Sequence, residues 1–274
     1  MIASSQTGSR PDQTHIKNAR FRLETSLWDG QIFAALPIFT TMETLRLHYA
    51  PDNASGIIRL ALEERGLSYD AVLVDRASKA QQSAAYRAIN PAGLIPALET
   101  PKGTIFETAA ILLWLADTYG KLGPAPDDAD RPQFLSWLFY LSNTTHADLR
   151  LNFYPDQYIG PSTTDHATLR KGARARLIRS LDLLEDLALQ NKPWFNGQNP
   201  SALDLYVCMM LRWMALYPQG DTDWFSLPNW PTLQSLAARL ESRPSVLALC
   251  KAEGMAPNPF TTPKSPNPPE GVAL

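Results

Sequence analysis

From Leu45 onward the chain alternates short strand-like apolar runs with stretches whose apolar residues recur every three or four positions. "LRLHY", "SYDAVLVD", "IPALET" and "GTIFE" read as strands, and "SGIIRLALEERG", "QQSAAYRAI" and "TAAILLWLADTYG" as helices. This interleaving predicts an α/β domain over residues 42–120. Gly66 and Gly120 follow the first and last of these helices, where a left-handed residue is expected to end them. After a linker at residues 121–130 only the helical period persists, in "QFLSWLFYLSNTTHADL", "TLRKGARARLIRSLDLLEDLAL", "SALDLYVCMMLRWMALY" and "TLQSLAARLES". Residues 131–253 are therefore expected to be all-α. Ser201 is placed to N-cap the third of these helices, with Asp204 three residues on returning a hydrogen bond as in a capping box.

Both ends fall outside this pattern. Residues 1–41 are mostly polar around one patch, "LWDGQIFAALPIF", and are expected to form a flexible extension; Met42, just before the first strand, suits an alternative start. Residues 254–274 are proline-rich and aperiodic, and are expected to be disordered or to hug the surface.

Composition narrows the function without naming it. With 274 residues, 45% hydrophobic and 19% charged, the chain has the profile of a soluble protein of one large or two modest domains. A net charge of -2 gives no electrostatic attraction to nucleic acid or an anionic membrane, so neither is expected as a partner. Cys208 and Cys250 form no Cys-x-x-Cys and have no histidine spacing around them, so no disulfide framework or metal site is expected and a reducing cytoplasm fits. No apolar run reaches membrane-spanning length.

The chemistry concentrates in "NPAGLIPALET" and "FETAA". Pro96 cannot donate to a strand ladder, and behind a cis bond it would turn the chain before the strand, leaving backbone groups free to pair with an extended peptide; a simple turn is the alternative. Glu107 and Thr108 open a helix whose first-turn N–H groups attract a carboxylate, although Thr108 also suits a plain N-cap. Cys208, Met209 and Met210 read as core.

Taken with the β-α-β-α-"NPAGLIPAL"-β-"FETAAILLWLAD" order and the helical region that follows, these residues resemble the cytosolic glutathione transferases, from about Leu45 to Lys251. The resemblance implies a thioredoxin-like N-terminal domain and an all-α C-terminal domain. It implies a cis Pro96, Ile95 offering its main chain to the cysteinyl part of glutathione, and Glu107 with Thr108 holding the γ-glutamyl end.

"YAPDNASGIIRLALEE" is similar to the start of bacterial beta-like members, but Ala54 stands where they carry a cysteine. Ser55 is then the first candidate to activate the glutathione thiol, with an N-cap as its other reading, and Asn53 is the second. Tyr49 is read as structural. His146 falls where beta-like members place a histidine near the electrophile, although Ala147 replaces the lysine that follows it there. Phe153, Tyr154 and Tyr158 suit an apolar co-substrate or a core.

The implied activity is conjugation of glutathione to small hydrophobic electrophiles by a metal-free cytoplasmic homodimer. A glutathione-dependent isomerase or ether-cleaving enzyme, and a non-catalytic binding or stress protein on the same fold, are the alternatives.

Overall fold

The computed structural model describes residues 44–273, so the expected extension lies outside the described residues. β1 (Leu45–Tyr49), β2 (Tyr69–Leu73), β3 (Ala97–Thr100) and β4 (Gly103–Phe106) form a mixed sheet of order β2-β1-β3-β4. β1 runs parallel to β2 and antiparallel to β3, with Leu47 opposite both Ala71 and Leu98. The parallel pair needs a crossover, and α1 (Ser55–Glu64) supplies it. α2 (Ala84–Ile89) leads into the loop before β3, and β4 runs into α3 (Thr108–Tyr119). This is the α/β domain that the alternating pattern predicted, in the thioredoxin-like form that the family resemblance implied.

α1 is buried from Ser55 to Leu62 because it packs on β1 and α3 and also against two helices from the far end of the chain. These are α8 (Ala202–Leu216) and α10 (Pro244–Glu253). A Cβ on Gly56 would stand 2.9 Å from the Met209 methyl, so glycine lets α1 approach α8 this closely. One continuous core results, running from Leu47 through Ile57, Ile58 and Leu112 to Leu205, Met209 and Leu233.

In the helical part, α4 (Arg131–Tyr140) passes through a π-helical turn at Leu141–Thr145 into α5 (His146–Phe153). The sequence pattern reads this as one helix. The wider turn changes the phase of the side chains after it and so sets which face His146 presents, a use typical of π-bulges. α6 (Asp156–Ile159), the long α7 (Thr163–Ala188), α8, α9 (Pro231–Glu241) and α10 complete the helical part. Ser201 accepts from the Leu203 N–H at 3.1 Å and donates its own N–H to Asp204 at 2.7 Å, which fixes the start of α8. α10, where the periodic reading marked no helix, starts on Pro244 and buries Val246 and Leu249.

The proline-rich segment lies against the surface and is anchored by side chains instead of a ladder. Phe260 is buried, and Glu241 accepts from the backbone N–H groups of Phe260 and Thr261 at 2.9 and 2.7 Å. Arg212 donates to the carbonyls of Pro259 and Lys264. Tyr49 donates to Glu270. Among the described residues no helix is long and apolar enough to cross a membrane.

Candidate active site

A cavity of about 300 Å³ opens between the sheet-containing part and the helical part. Its floor is the β1–α1 loop with Asn53 and Ala54. One side is the loop before β3 with Ile95 and Pro96, next to Glu107 and Thr108 at the start of α3. The opposite wall carries His146, Arg150 and Phe153 of α5 and Tyr206 of α8. Of the residues singled out from the sequence, Asn53, Ile95, Pro96, Glu107, Thr108 and His146 all line it, although they come from stretches far apart in the chain.

The loop before β3 is held by Asn90. Its amide donates to the Leu94 carbonyl at 2.7 Å and accepts from the Ala92 N–H at 3.1 Å, and Tyr86 donates to the same Leu94 carbonyl. The Ile95–Pro96 peptide is cis. Glu107 sits at φ +71°, sparsely populated for a residue with a side chain, and its carboxylate is exposed at the cavity rim. Thr108 is buried, close to the hydroxyl of Tyr206.

Tyr206 is hydrogen-bonded to His146 Nδ1 at 2.8 Å, and both line the cavity with Thr108. Burial, then the Glu107 charge, raises the Tyr206 hydroxyl well above its ordinary range, which makes it a neutral donor or acceptor. His146 lies edge-on to Tyr206 and tilted against Trp213. Burial, then the nearby Arg150 charge, pushes it down to about 4, so it is neutral near pH 7. Nothing in the sequence singled out Tyr206, because its partner His146 is 60 residues away.

The structure places Ser55 away from the cavity lining. Its hydroxyl donates to the Ala50 carbonyl at 3.0 Å and accepts from the Ala50 N–H at 3.2 Å, and the residue is fully buried. Both bonds close the β1–α1 loop on itself. The side chain does not line the cavity, nor does it cap α1, whose N-cap position is Ala54. Asn53 does line it, and its Oδ1 is buried without a partner.

Asp52, which sequence reasoning passed over, holds this loop in place. Fully buried at φ +50°, its carboxylate accepts from Arg212 Nε and Nη2 at 2.9 Å each, from Trp213 Nε1 at 3.0 Å and from the Tyr217 hydroxyl at 2.7 Å. The Asp52 N–H donates to Glu253 Oε2 at 2.9 Å, and Glu253 pairs with Arg59 at 3.1 Å. Asn53 is thus presented by a residue fixed on two sides.

Two more unsatisfied atoms sit at the cavity: Arg76 Nη1 and Gln81 Oε1 are buried without partners. An unpaired buried polar group costs about 1–3 kcal/mol. Three of them around one cavity favour a ligand with both donors and acceptors. Phe153 and Tyr154 line the wall, whereas Tyr158 lies outside it and accepts from Arg150. Both cysteines are free; burial raises the thiol of Cys208 well above its ordinary range and that of Cys250 as well, so neither supplies a thiolate. Among the described residues no group of three or more His, Cys, Asp or Glu is placed to hold a metal ion.

Residues 55–118 match the family model described as glutathione S-transferase, N-terminal domain. Glutathione S-transferase GstA of Escherichia coli O157:H7 is 28% identical over 216 residues, spanning 77% of this chain and all of that protein. Disulfide-bond oxidoreductase YfcG of Escherichia coli (strain K12) is 30% identical over 216 residues, spanning 76% of this chain and 95% of that protein. Among solved structures, a sphingomonad glutathione S-transferase complexed with glutathione superposes with a TM-score of 0.62 at 30% identity, covering 77% of this chain and all of that one.

Proposed function

Because this chain belongs to the glutathione S-transferase family, we propose that its cavity binds glutathione and presents the thiolate to a small electrophile held against α5 and α8. The observation that carries this reading is the set of partnerless buried atoms on Asn53, Arg76 and Gln81, residues that line the same cavity as Glu107 and Thr108. Glu107 receives the γ-glutamyl ammonium, and Thr108 with the first N–H groups of α3 receives its carboxylate. The cysteinyl backbone lies along Ile95. Arg76 and Gln81, on the segment after β2, receive the glycyl end.

Asn53 is the group we assign to the sulfur. Its Nδ2 can donate to the thiolate and its Oδ1 can accept from the protonated thiol, so one side chain serves both states. A free thiol has a pKa of roughly 8.5. One hydrogen bond to a charged sulfur contributes about 1.5–3 kcal/mol, which lowers that value by about one to two. The thiolate then attacks the electrophilic carbon, forming the carbon–sulfur bond as the leaving group departs with its electron pair.

Exposed Phe106 on the outer strand β4 and Phe139 on α4 support a homodimer, and the two unpaired cysteines suit a cytoplasmic location.

Two measurements test the assignment. Calorimetric titration with glutathione should give an affinity at least several-fold lower for Thr108→Val, which keeps the shape and removes a donor; equal affinities refute the placement. Ultraviolet titration of the glutathione complex should give a thiol pKa about one to two higher in Asn53→Ala. An unshifted titration moves the thiolate donor elsewhere.

A further inference from the structure

Arg150 has no counterpart in the glutathione contacts just assigned. It projects from α5, on the same wall as His146 and Phe153. Its Nε donates to the Tyr158 hydroxyl at 3.0 Å, and its guanidinium lies 5.7 Å over the Tyr154 ring. No carboxylate among the described residues pairs with it, in contrast to Arg59, Arg131, Arg174, Arg176, Arg212 and Arg243. Its two Nη groups have no hydrogen-bond partner among the described residues, so a planar fork of donors stands at the cavity wall.

The charges around the cavity are unbalanced in the same sense. Arg76 and Arg150 line it against the single carboxylate of Glu107, and His146 is neutral. Glutathione itself uses Glu107 for its ammonium, Thr108 for one carboxylate and Arg76 for the other. Arg150, on the opposite wall, is then the cavity guanidinium to which these contacts assign no partner. A purely hydrophobic electrophile would offer the fork no hydrogen-bond acceptor, whereas a carboxylate matches it with two parallel hydrogen bonds.

We propose that the acceptor carries a carboxylate and that the Arg150 fork binds it, turning the reactive carbon toward the sulfur at Asn53. This rests on the glutathione-conjugating reading above and specifies its substrate class as small electrophilic organic acids. Tyr158 and Tyr154 act through Arg150: one anchors Nε and the other supports the plane.

The test compares two acceptors that react by the same step, 1-chloro-2,4-dinitrobenzene and 4-chloro-3,5-dinitrobenzoate. In each, the carbon–sulfur bond forms and chloride leaves, with no change in oxidation state overall. Each kcat/KM is divided by the uncatalysed rate constant. The wild-type ratio should favour the benzoate, and Arg150→Met should lower that ratio about tenfold or more. Arg150→Lys should recover part of it, since lysine restores the charge but not the fork.

A ratio within twofold of wild type in Arg150→Met overturns the proposal. So does a rise in the KM for glutathione with the ratio unchanged, which would assign Arg150 to the glycyl carboxylate. If wild type turns over neither acceptor, the transferase reading fails on its own, and calorimetric titration with 3,5-dinitrobenzoate decides the inference. Binding that weakens about tenfold in Arg150→Met supports it, and binding indifferent to Arg150 overturns it.

Discussion

Replacing Asp52 by alanine should cost more stability than any substitution on the cavity surface. The change leaves the Arg212 guanidinium fully buried with only the carbonyls of Pro259 and Lys264 as partners, and strands the Trp213 Nε1–H and the Tyr217 hydroxyl. Removing one member of a buried ion pair costs about 3–5 kcal/mol, because the other charge is left uncompensated. The two neutral donors would add about 1–3 kcal/mol each in isolation, but they share one site with Arg212 and their losses overlap. The expected total is therefore about 3–5 kcal/mol. For a folded unit of this size each kcal/mol lowers Tm by about 2–4 °C, so Tm should fall by about 6–20 °C.

Urea unfolding with an unchanged m-value gives the loss directly. A double variant, Asp52→Asn with Arg212→Met, removes both charges and should lose less than Asp52→Ala alone, since no charge is stranded. Because Asn53 is the next residue, glutathione affinity should fall in Asp52→Ala as well. A loss below about 1 kcal/mol, or a double variant worse than the single, would refute the idea that buried charge compensation holds this loop.

Two titrations oppose one another across the acid range. Burial outweighs Arg59 and raises Glu253 from its ordinary 4.5 to about 7, so the folded chain keeps a proton that the unfolded chain loses, and this group's contribution falls as pH rises between those values. His146, lowered from 6.5 to about 4, has the reverse sign: the unfolded chain gains its proton first, and stability is lost as pH falls through that window. Relative to wild type, Glu253→Gln should gain about 3 kcal/mol between pH 4.5 and 7.5, and His146→Gln should gain about as much on going from pH 7 to pH 4. Stability differences that do not vary with pH would refute either shift. Gly254→Ala should cost at least about 2 kcal/mol, since the residue sits at φ +64° and a Cβ would stand 1.9 Å from the Asn267 carbonyl oxygen. Urea unfolding equal to wild type would show that the C-terminal segment yields without cost.

The order of strands and helices in the sheet-containing part, the all-helical texture after it and the capping of α8 by Ser201 and Asp204 were legible in the sequence. Each is decided within a few residues, by periodicity, by a glycine or proline, or by a side chain bonding its own backbone. The stretches that line one side of the cavity were legible for the same reason: Ile95 with Pro96, and Glu107 with Thr108, are short local patterns that carry their geometry with them. The choice between Asn53 and Ser55 was not. They are two residues apart on one loop, and which of them faces the cavity depends on Ala50 capturing the Ser55 hydroxyl and on Asp52 being drawn inward by Arg212 from 160 residues away. Tyr206 reaching His146, and Glu241 holding Phe260 and Thr261, likewise join segments with no sequence signal of their own. Periodicity records which face of an element is apolar. It does not record which distant partner will satisfy a buried charge, and in this protein that pairing sets the β1–α1 loop at the cavity.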